Sequence, residues 1–373
     1  MQTSPDCRVR QYTRSAIVGP SVEMQPAFSR LHRSPERLKC RGRAAKAARC
    51  GFHAVTLMLP ACQGRRMVRR KVRRPGGLAQ AWRKAGSVGS GGGKVGLEMG
   101  MIKALRQHIK NRRTTSFIVS FPKTGRTWLR MMIGRILVED YGIPESRMLA
   151  TYKATRAARV GPCIFSHGGP YHLLDDRPFR ELSIERGVFA NKRVLFLVRD
   201  IRDTLVSFYF QQHKREKVFD GDLSSFLRDE RFGAPKIIRF YTLWFQARNS
   251  VPAFKLIRYE AMRASPVAEL MGVVRFLGFD RPSETSVTRA VEYSSFENMR
   301  RMEEKGRFSN KMMRPGDPAD NESFKVRKGK VGGYAEYLGK EDLAFIDDAI
   351  SRDGDPACDW YLYDTSTPTD SVG

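Results

Sequence analysis

Paired cysteines, long apolar runs and a Walker motif are all missing from this chain of 373 residues. Its six cysteines (Cys7, Cys40, Cys50, Cys62, Cys163 and Cys358) are scattered, with no C-x-x-C pair. That spacing argues against a disulfide framework and against a zinc site. Cys50 and His53 form one close pair, but no second pair completes a tetrahedral set, so no metal is expected. No stretch approaches the roughly 20 apolar residues that cross a bilayer. The longest, residues 52–62, is too short, ends against an arginine cluster and lies too far from Met1 to be a signal-peptide core. Residues 89–94 imitate a phosphate-binding loop, but Val88 replaces the first glycine, Val95 replaces the Ser/Thr and no strand precedes them. They read as a flexible linker.

Acidic residues are scarce at the N-terminus. Residues 1–98 hold 21 Lys and Arg against 4 Asp and Glu, which accounts for +17 of the formal charge of +28. A segment this rich in Arg, Gly, Ser and Pro buries too little apolar surface to offset its ordering entropy, so disorder is expected. Three origins fit it: an organelle transit segment, a basic arm for anionic partners, or codons upstream of a true start at Met99 or Met101. The last is preferred, because the globular texture begins soon after those methionines. The remaining residues carry only +11, a moderate excess that suits an anionic ligand. With 41% hydrophobic residues, the chain supports one substantial core. We expect a catalytic domain over 101–352, a basic extension over 1–98 and a C-terminal tail over 353–373, with no transmembrane segment.

After Met101, short apolar runs alternate with amphipathic stretches. Phe117-Ile118-Val119 reads as a buried strand, followed by a helix whose Trp128, Leu129, Met132, Ile133, Ile136 and Leu137 share a face. Residues 194–198 form a second apolar strand with a helix from about Asp203, and residues 254–257 suggest a third. Leu270, Met271, Val274 and Leu277 mark another helix over 266–277. Strands apolar on both faces and alternating with helices indicate an α/β fold, a mostly parallel sheet flanked by helices in three layers. Such sheets bind ligands at the carboxyl ends of their strands.

Two of those strand ends carry anion-binding chemistry. The first runs into Pro122-Lys123-Thr124-Gly125-Arg126-Thr127-Trp128. There a glycine admits close backbone approach, a helix start offers unpaired amides, and a lysine with two threonines completes a cradle. The second ends in Arg199, with Ser207 on the returning helix; together they suit a second phosphate. Arg202 and Asp203 beside them also fit a plain surface ion-pair network.

These segments resemble the 3′-phosphoadenosine 5′-phosphosulfate (PAPS)-dependent sulfotransferase family. In that family a Pro-Lys-Ser/Thr-Gly-x-Thr-Trp loop holds the 5′-phosphosulfate, and an Arg with a Ser eight residues later holds the 3′-phosphate. Two further pieces fall in the family's order. Ser294-Ser295-Phe296-Glu297-Asn298-Met299 is similar to its Ser-Phe-x-x-Met segment, and Arg327-Lys328-Gly329-Lys330-Val331-Gly332 to its C-terminal loop over the 3′-phosphate. Arg258-Tyr259-Glu260 matches a strand end where the Tyr meets the adenine side. The similarity spans roughly 115–347. It implies a P-loop NTPase-like sulfotransferase fold, PAPS as donor, no metal, and transfer of a sulfuryl group to a hydroxyl or amine.

A base is still needed, because an attacking hydroxyl must lose its proton. His167, in Ile164-Phe165-Ser166-His167-Gly168, stands where the family places its catalytic histidine, and His172 beside Tyr171 is the fallback. The resemblance assigns stabilisation of the leaving oxygen to Lys123, Thr124, Thr127 and the loop amides. Trp128 and Phe296 flank the adenine, and Arg126 is a further sulfate contact. Phe165 stands where the phenol and steroid enzymes have a lysine, and Gly333-Tyr334 replace their Asp-Trp, so acceptor preference does not carry over. Small phenols, glycans, lipid head groups and peptide tyrosines stay open, as does the oligomeric state. The expected compartment is cytoplasmic, or an organelle if residues 1–98 are a transit segment. Two other readings stand beside this one: a phosphoryl-transfer kinase, which needs a Walker loop and an acidic Mg²⁺ ligand, and a polyanion- or nucleic-acid-binding protein acting through residues 1–98.

Overall fold

The computed structural model describes residues 94–168, 178–307 and 313–363. The expectations for residues 1–93, for Cys50 with His53, for His172 and for the end of the C-terminal tail lie outside them. Among the described residues, four parallel strands form one sheet in the order β2-β1-β3-β4. They are β1 (Ser116–Ser120), β2 (Cys163–Ser166), β3 (Arg193–Val198) and β4 (Ala253–Arg258). Every residue of β1 is buried, and the register sets Phe117 against both Ile164 and Val194. The centre of the sheet is therefore apolar on both faces, as a parallel sheet with covered faces requires.

Alternation along the strands feeds two cores. Phe117, Val119, Val194 and Phe196 point into one, whereas Ile118, Leu195, Leu197 and Ile257 point into the other. On the second face lie helices α2 (Arg126–Tyr141), α6 (Pro266–Leu277) and α7 (Glu284–Tyr293), which contribute Leu129, Ile133, Leu270, Val274 and Val287. On the first face α5 (Ala234–Ala247) places Trp244 and Tyr241 against Phe196. Truncating an aromatic as buried as Phe196 costs about 3–5 kcal/mol. The chain before β1 forms α1 (Lys94–Arg113), on which Ile102, Leu105 and Ile109 are exposed. Among the described residues no helix is long and apolar enough to cross a membrane.

Helix starts and stops follow local chemistry. Gly142 ends α2 with φ 66°, and Gly278 ends α6 with φ 83°, both in the left-handed region that glycine adopts without strain. The short helix α3 (Thr151–Ala157) leads into β2, whose four residues owe their strand geometry to pairing with β1. Helix α4 (Ile201–Phe210) begins two residues before the expected Asp203, because Asp200 caps it by accepting from the Arg202 amide. After α8 (Phe296–Glu304) and α9 (Lys340–Asp353), the chain returns to the sheet. There Trp360 stacks on Phe254, the Ile201 amide donates to the Tyr361 carbonyl, and the Tyr363 amide donates to Asp200. Cys358, Trp360 and Tyr361 are thus buried in the core.

Candidate active site

The carboxyl ends of β1, β2 and β3 open onto one cavity of about 260 Å³. The β1–α2 turn forms its floor. Thr124 donates its hydroxyl to the Phe121 carbonyl at 3.0 Å, which closes the turn. Lys123 adopts φ 71° and Gly125 φ 90°, positive-φ residues on either side of Thr124 of the kind that shape anion-binding turns. The first intrahelical bond of α2 runs from the Leu129 amide to Gly125, so the amides of Arg126, Thr127 and Trp128 precede the ladder. A Cβ on Gly125 would lie 2.5 Å from the Tyr259 ring, so only glycine fits there. Burial, followed by the charges of Lys325, Arg215 and Arg327, holds the Lys123 ammonium pKa well below the usual lysine range.

Arg199 leaves the end of β3 with little freedom. Its guanidinium donates to Asp203 at 3.2 Å, to the Lys330 carbonyl at 2.9 Å and to the Lys123 carbonyl at 3.3 Å, and it lies over the Tyr259 ring. Asp203 also accepts from the amides of Gly332 and Tyr334 at 3.0 and 2.9 Å. Asp203, which the sequence left open with Arg202 as a surface network, is therefore buried and anchors the C-terminal loop to α4, whereas Arg202 pairs with Asp200 at 2.6 Å. Ser207, on the next turn of that helix, faces the same cavity.

The C-terminal loop supplies the wall across from α4. Arg327 donates to Glu322 and to the Tyr337 hydroxyl, both at 2.9 Å, and stacks on Phe210. Lys328 donates to Glu336 at 2.6 Å. Gly329 has φ 60°, and a Cβ there would meet the Phe296 ring at 2.8 Å, which fixes the loop on the first residue of α8. Trp128 and Tyr259 form an edge-to-face pair at 5.9 Å beside them.

His167 follows β2 directly. Its Nδ1 lies 2.8 Å from the Ser120 carbonyl, which can only accept, so the proton sits on Nδ1 and the lone pair on Nε2. Arg126 donates to that Nε2 at 2.5 Å. Arg126 and Arg130 both lie over the Phe165 ring, at 5.6 and 4.4 Å. Burial and the neighbouring Arg130 lower the Arg126 pKa to about 9.

Of the residues singled out in the sequence, Pro122, Lys123, Gly125, Arg126, Thr127, Trp128, His167, Arg199, Ser207, Tyr259, Ser294, Phe296, Arg327, Lys328 and Gly329 all line this cavity. Thr124 does not: its side chain is buried in the turn. Sequence reasoning missed Lys325, Gln211 and Asp203, which line the same space. Among the described residues, the cavity-lining Ser294 Oγ, Arg199 Nε and Arg327 Nε are buried without a hydrogen-bond partner, which suits a ligand rich in acceptors. Among the described residues no group of three His, Cys, Asp or Glu is placed to hold a metal ion.

A parallel α/β sheet with a glycine-turned loop, a helix N-terminus and converging cations at its carboxyl edge defines an enzyme of anionic group transfer. The sulfotransferase domain family matches residues 113–355, so the chain belongs to that family and transfers sulfuryl groups. It is similar to cytosolic sulfotransferase 16 of Arabidopsis thaliana, with 26% identity over 266 residues, 66% of this chain and 78% of that one. Amine sulfotransferase of Oryctolagus cuniculus is 22% identical over 249 residues, covering 62% of this chain and 77% of its own. A solved mouse sulfotransferase complexed with PAP has a TM-score of 0.44 and 19% identity, over 65% of this chain and 84% of that one.

Proposed function

We propose that the domain within 101–352 transfers a sulfuryl group from PAPS to a hydroxyl or amine of a small-molecule acceptor by in-line displacement at sulfur. The observation that carries this reading is the meeting of Lys123, Arg199, Ser207 and Arg327, from three remote segments, on one cavity. Arg199, Ser207 and Arg327 would hold the 3′-phosphate, and the buried, unpartnered Arg199 Nε and Arg327 Nε fit its oxygens. Lys123, Thr127 and the first amides of α2 would hold the 5′-phosphosulfate, whereas Thr124 serves by closing the turn. Trp128, Tyr259 and Phe296 offer aromatic surfaces for adenine, and the Ser294 hydroxyl one polar contact. The donor supplies a sulfuryl group already activated by its mixed phosphate–sulfate anhydride bond.

His167 would take the acceptor's proton at Nε2, since the Ser120 carbonyl holds the other nitrogen protonated. Arg126 must first leave that lone pair, and the sulfuryl oxygens are the natural destination for its charge. As the acceptor oxygen bonds to sulfur, the sulfur–bridging oxygen bond breaks and its electron pair stays on the 5′-phosphate. Lys123 and the loop amides meet that growing charge, as preorganised donors do in other anionic transfers. Relatives named for flavonol and amine acceptors support a small-molecule acceptor, and those named cytosolic support a cytoplasmic site of action. Incubation with sulfur-labelled PAPS and a panel of phenols, alcohols and amines tests the reading: label should pass to at least one acceptor and adenosine 3′,5′-bisphosphate (PAP) should appear in equal amount. A protein that leaves PAPS intact and binds no PAP overturns it.

A further inference from the structure

We propose that Lys325 is a catalytic residue that grips the sulfuryl oxygens together with Lys123 and Arg126, so that the C-terminal segment senses both ends of the donor. This inference rests on the reading of the cavity as a PAPS site. Lys325 lines the same space as Lys123, Arg126 and His167. Its ammonium donates to Gln211 Oε1 at 3.1 Å, a neutral partner contributed by the residue that follows α4.

The nearby acid does not neutralise it. Glu303 accepts from the backbone amides of Lys325 and Val326, at 2.7 and 2.9 Å, and lies 3.7 Å from Arg215. The backbone of the segment is thus clamped to α8 while the side chain extends into the cavity. Among the described residues, no carboxylate comes within ion-pair distance of Lys123, Arg126 or Lys325. Burial, with the charges of Arg215 and Arg126, lowers the Lys325 pKa to about 8, and Lys325 is in turn the largest charge acting on Lys123.

Buried cations that repel one another are unfavourable in a structural core. They suit a seat whose missing charge arrives with the ligand. Arg327, assigned above to the 3′-phosphate, is two residues further along the same segment, within about 7 Å of chain. The segment would therefore hold PAPS at two places and PAP at one, so that departure of the sulfuryl group loosens the product.

Calorimetric titration of PAPS and PAP into the wild-type chain, Lys325→Met and Lys325→Arg tests this. Lys325→Met should weaken PAPS about 10- to 100-fold, the range of a charge-assisted hydrogen bond, and PAP by less than about threefold. Lys325→Arg should restore most of the loss. Equal weakening of both nucleotides, or an unchanged PAPS affinity, overturns the inference while leaving the donor site standing. A wild-type chain that binds neither nucleotide overturns both. If circular dichroism shows Lys325→Met unfolded, Lys325→Gln provides the same neutral comparison.

Discussion

At the end of the cavity formed by Arg199 and Arg327, each guanidinium has a carboxylate partner, Asp203 at 3.2 Å and Glu322 at 2.9 Å. At the end formed by Lys123, Arg126 and Lys325, no described carboxylate comes within ion-pair distance. Paired cations are already oriented and cost little to organise when a ligand arrives. Unpaired ones are not neutralised by a protein carboxylate before an anion comes, at the expense of burial and mutual repulsion. On the proposed reading, the first end anchors the donor and the second carries the chemistry.

Substitutions that separate function from stability sharpen the contrast. The largest effect belongs to His167→Ala, expected to slow transfer about 10²- to 10⁴-fold while PAP affinity holds, measured by turnover beside calorimetry. Retained turnover would move the base elsewhere. Asp203→Ala, at the anchoring end, should cost about 3–5 kcal/mol of folding stability, because it leaves Arg199 buried and unpaired and frees the Gly332 and Tyr334 amides. Denaturant titration reads that loss directly. Lys123→Ala should remove about 3 kcal/mol of transition-state stabilisation yet leave the denaturation midpoint unchanged or raised. A Lys123 variant as unstable as the Asp203 variant would erase the distinction between the two ends.

The smallest effect is on pH dependence. Lys325 has a lowered pKa of about 8, so its cation is present below that pH and lost above it. PAPS affinity should fall by up to about tenfold per unit as pH rises past 8, since one bound charge disappears. PAP affinity should change less, because PAP lacks the sulfuryl group that Lys325 is proposed to meet. Arg126, with its pKa lowered to about 9, and Lys123, held well below the usual lysine range, share this response, and Arg215, Glu216 and Glu303 are the other charges acting on Lys325. Parallel profiles for the two nucleotides would place the titrating group outside the sulfuryl end.

The sheet was legible where the residues themselves carry the pattern. Phe117-Ile118-Val119 and residues 194–198 are apolar on both faces, which leaves a covered parallel strand as their best use. β2 was visible only as an apolar stretch before His167, because four residues do not distinguish a strand from a loop until β1 pairs with them. The loop at Lys123 and the Arg327 segment were readable as contiguous motifs. Lys325 was not, since its partner Gln211 is 114 residues away and no local pattern links them. The anchoring role of Asp203 was hidden for the same reason, its bonds to Gly332 and Tyr334 spanning 129 and 131 residues. The bond from Arg126 to His167 joins α2 to the end of β2 and appears only once the strands align.

The central claim is that the cavity recognises an adenylate by its 3′-phosphate as well as by its 5′ end. Competition of PAP against ATP and adenosine 5′-phosphosulfate, in a calorimetric displacement titration, tests it most directly. PAP should displace both rivals at concentrations at least about tenfold lower than theirs, since each lacks the 3′-phosphate that Arg199 and Arg327 are proposed to hold. ATP or adenosine 5′-phosphosulfate binding as tightly as PAP would contradict the account.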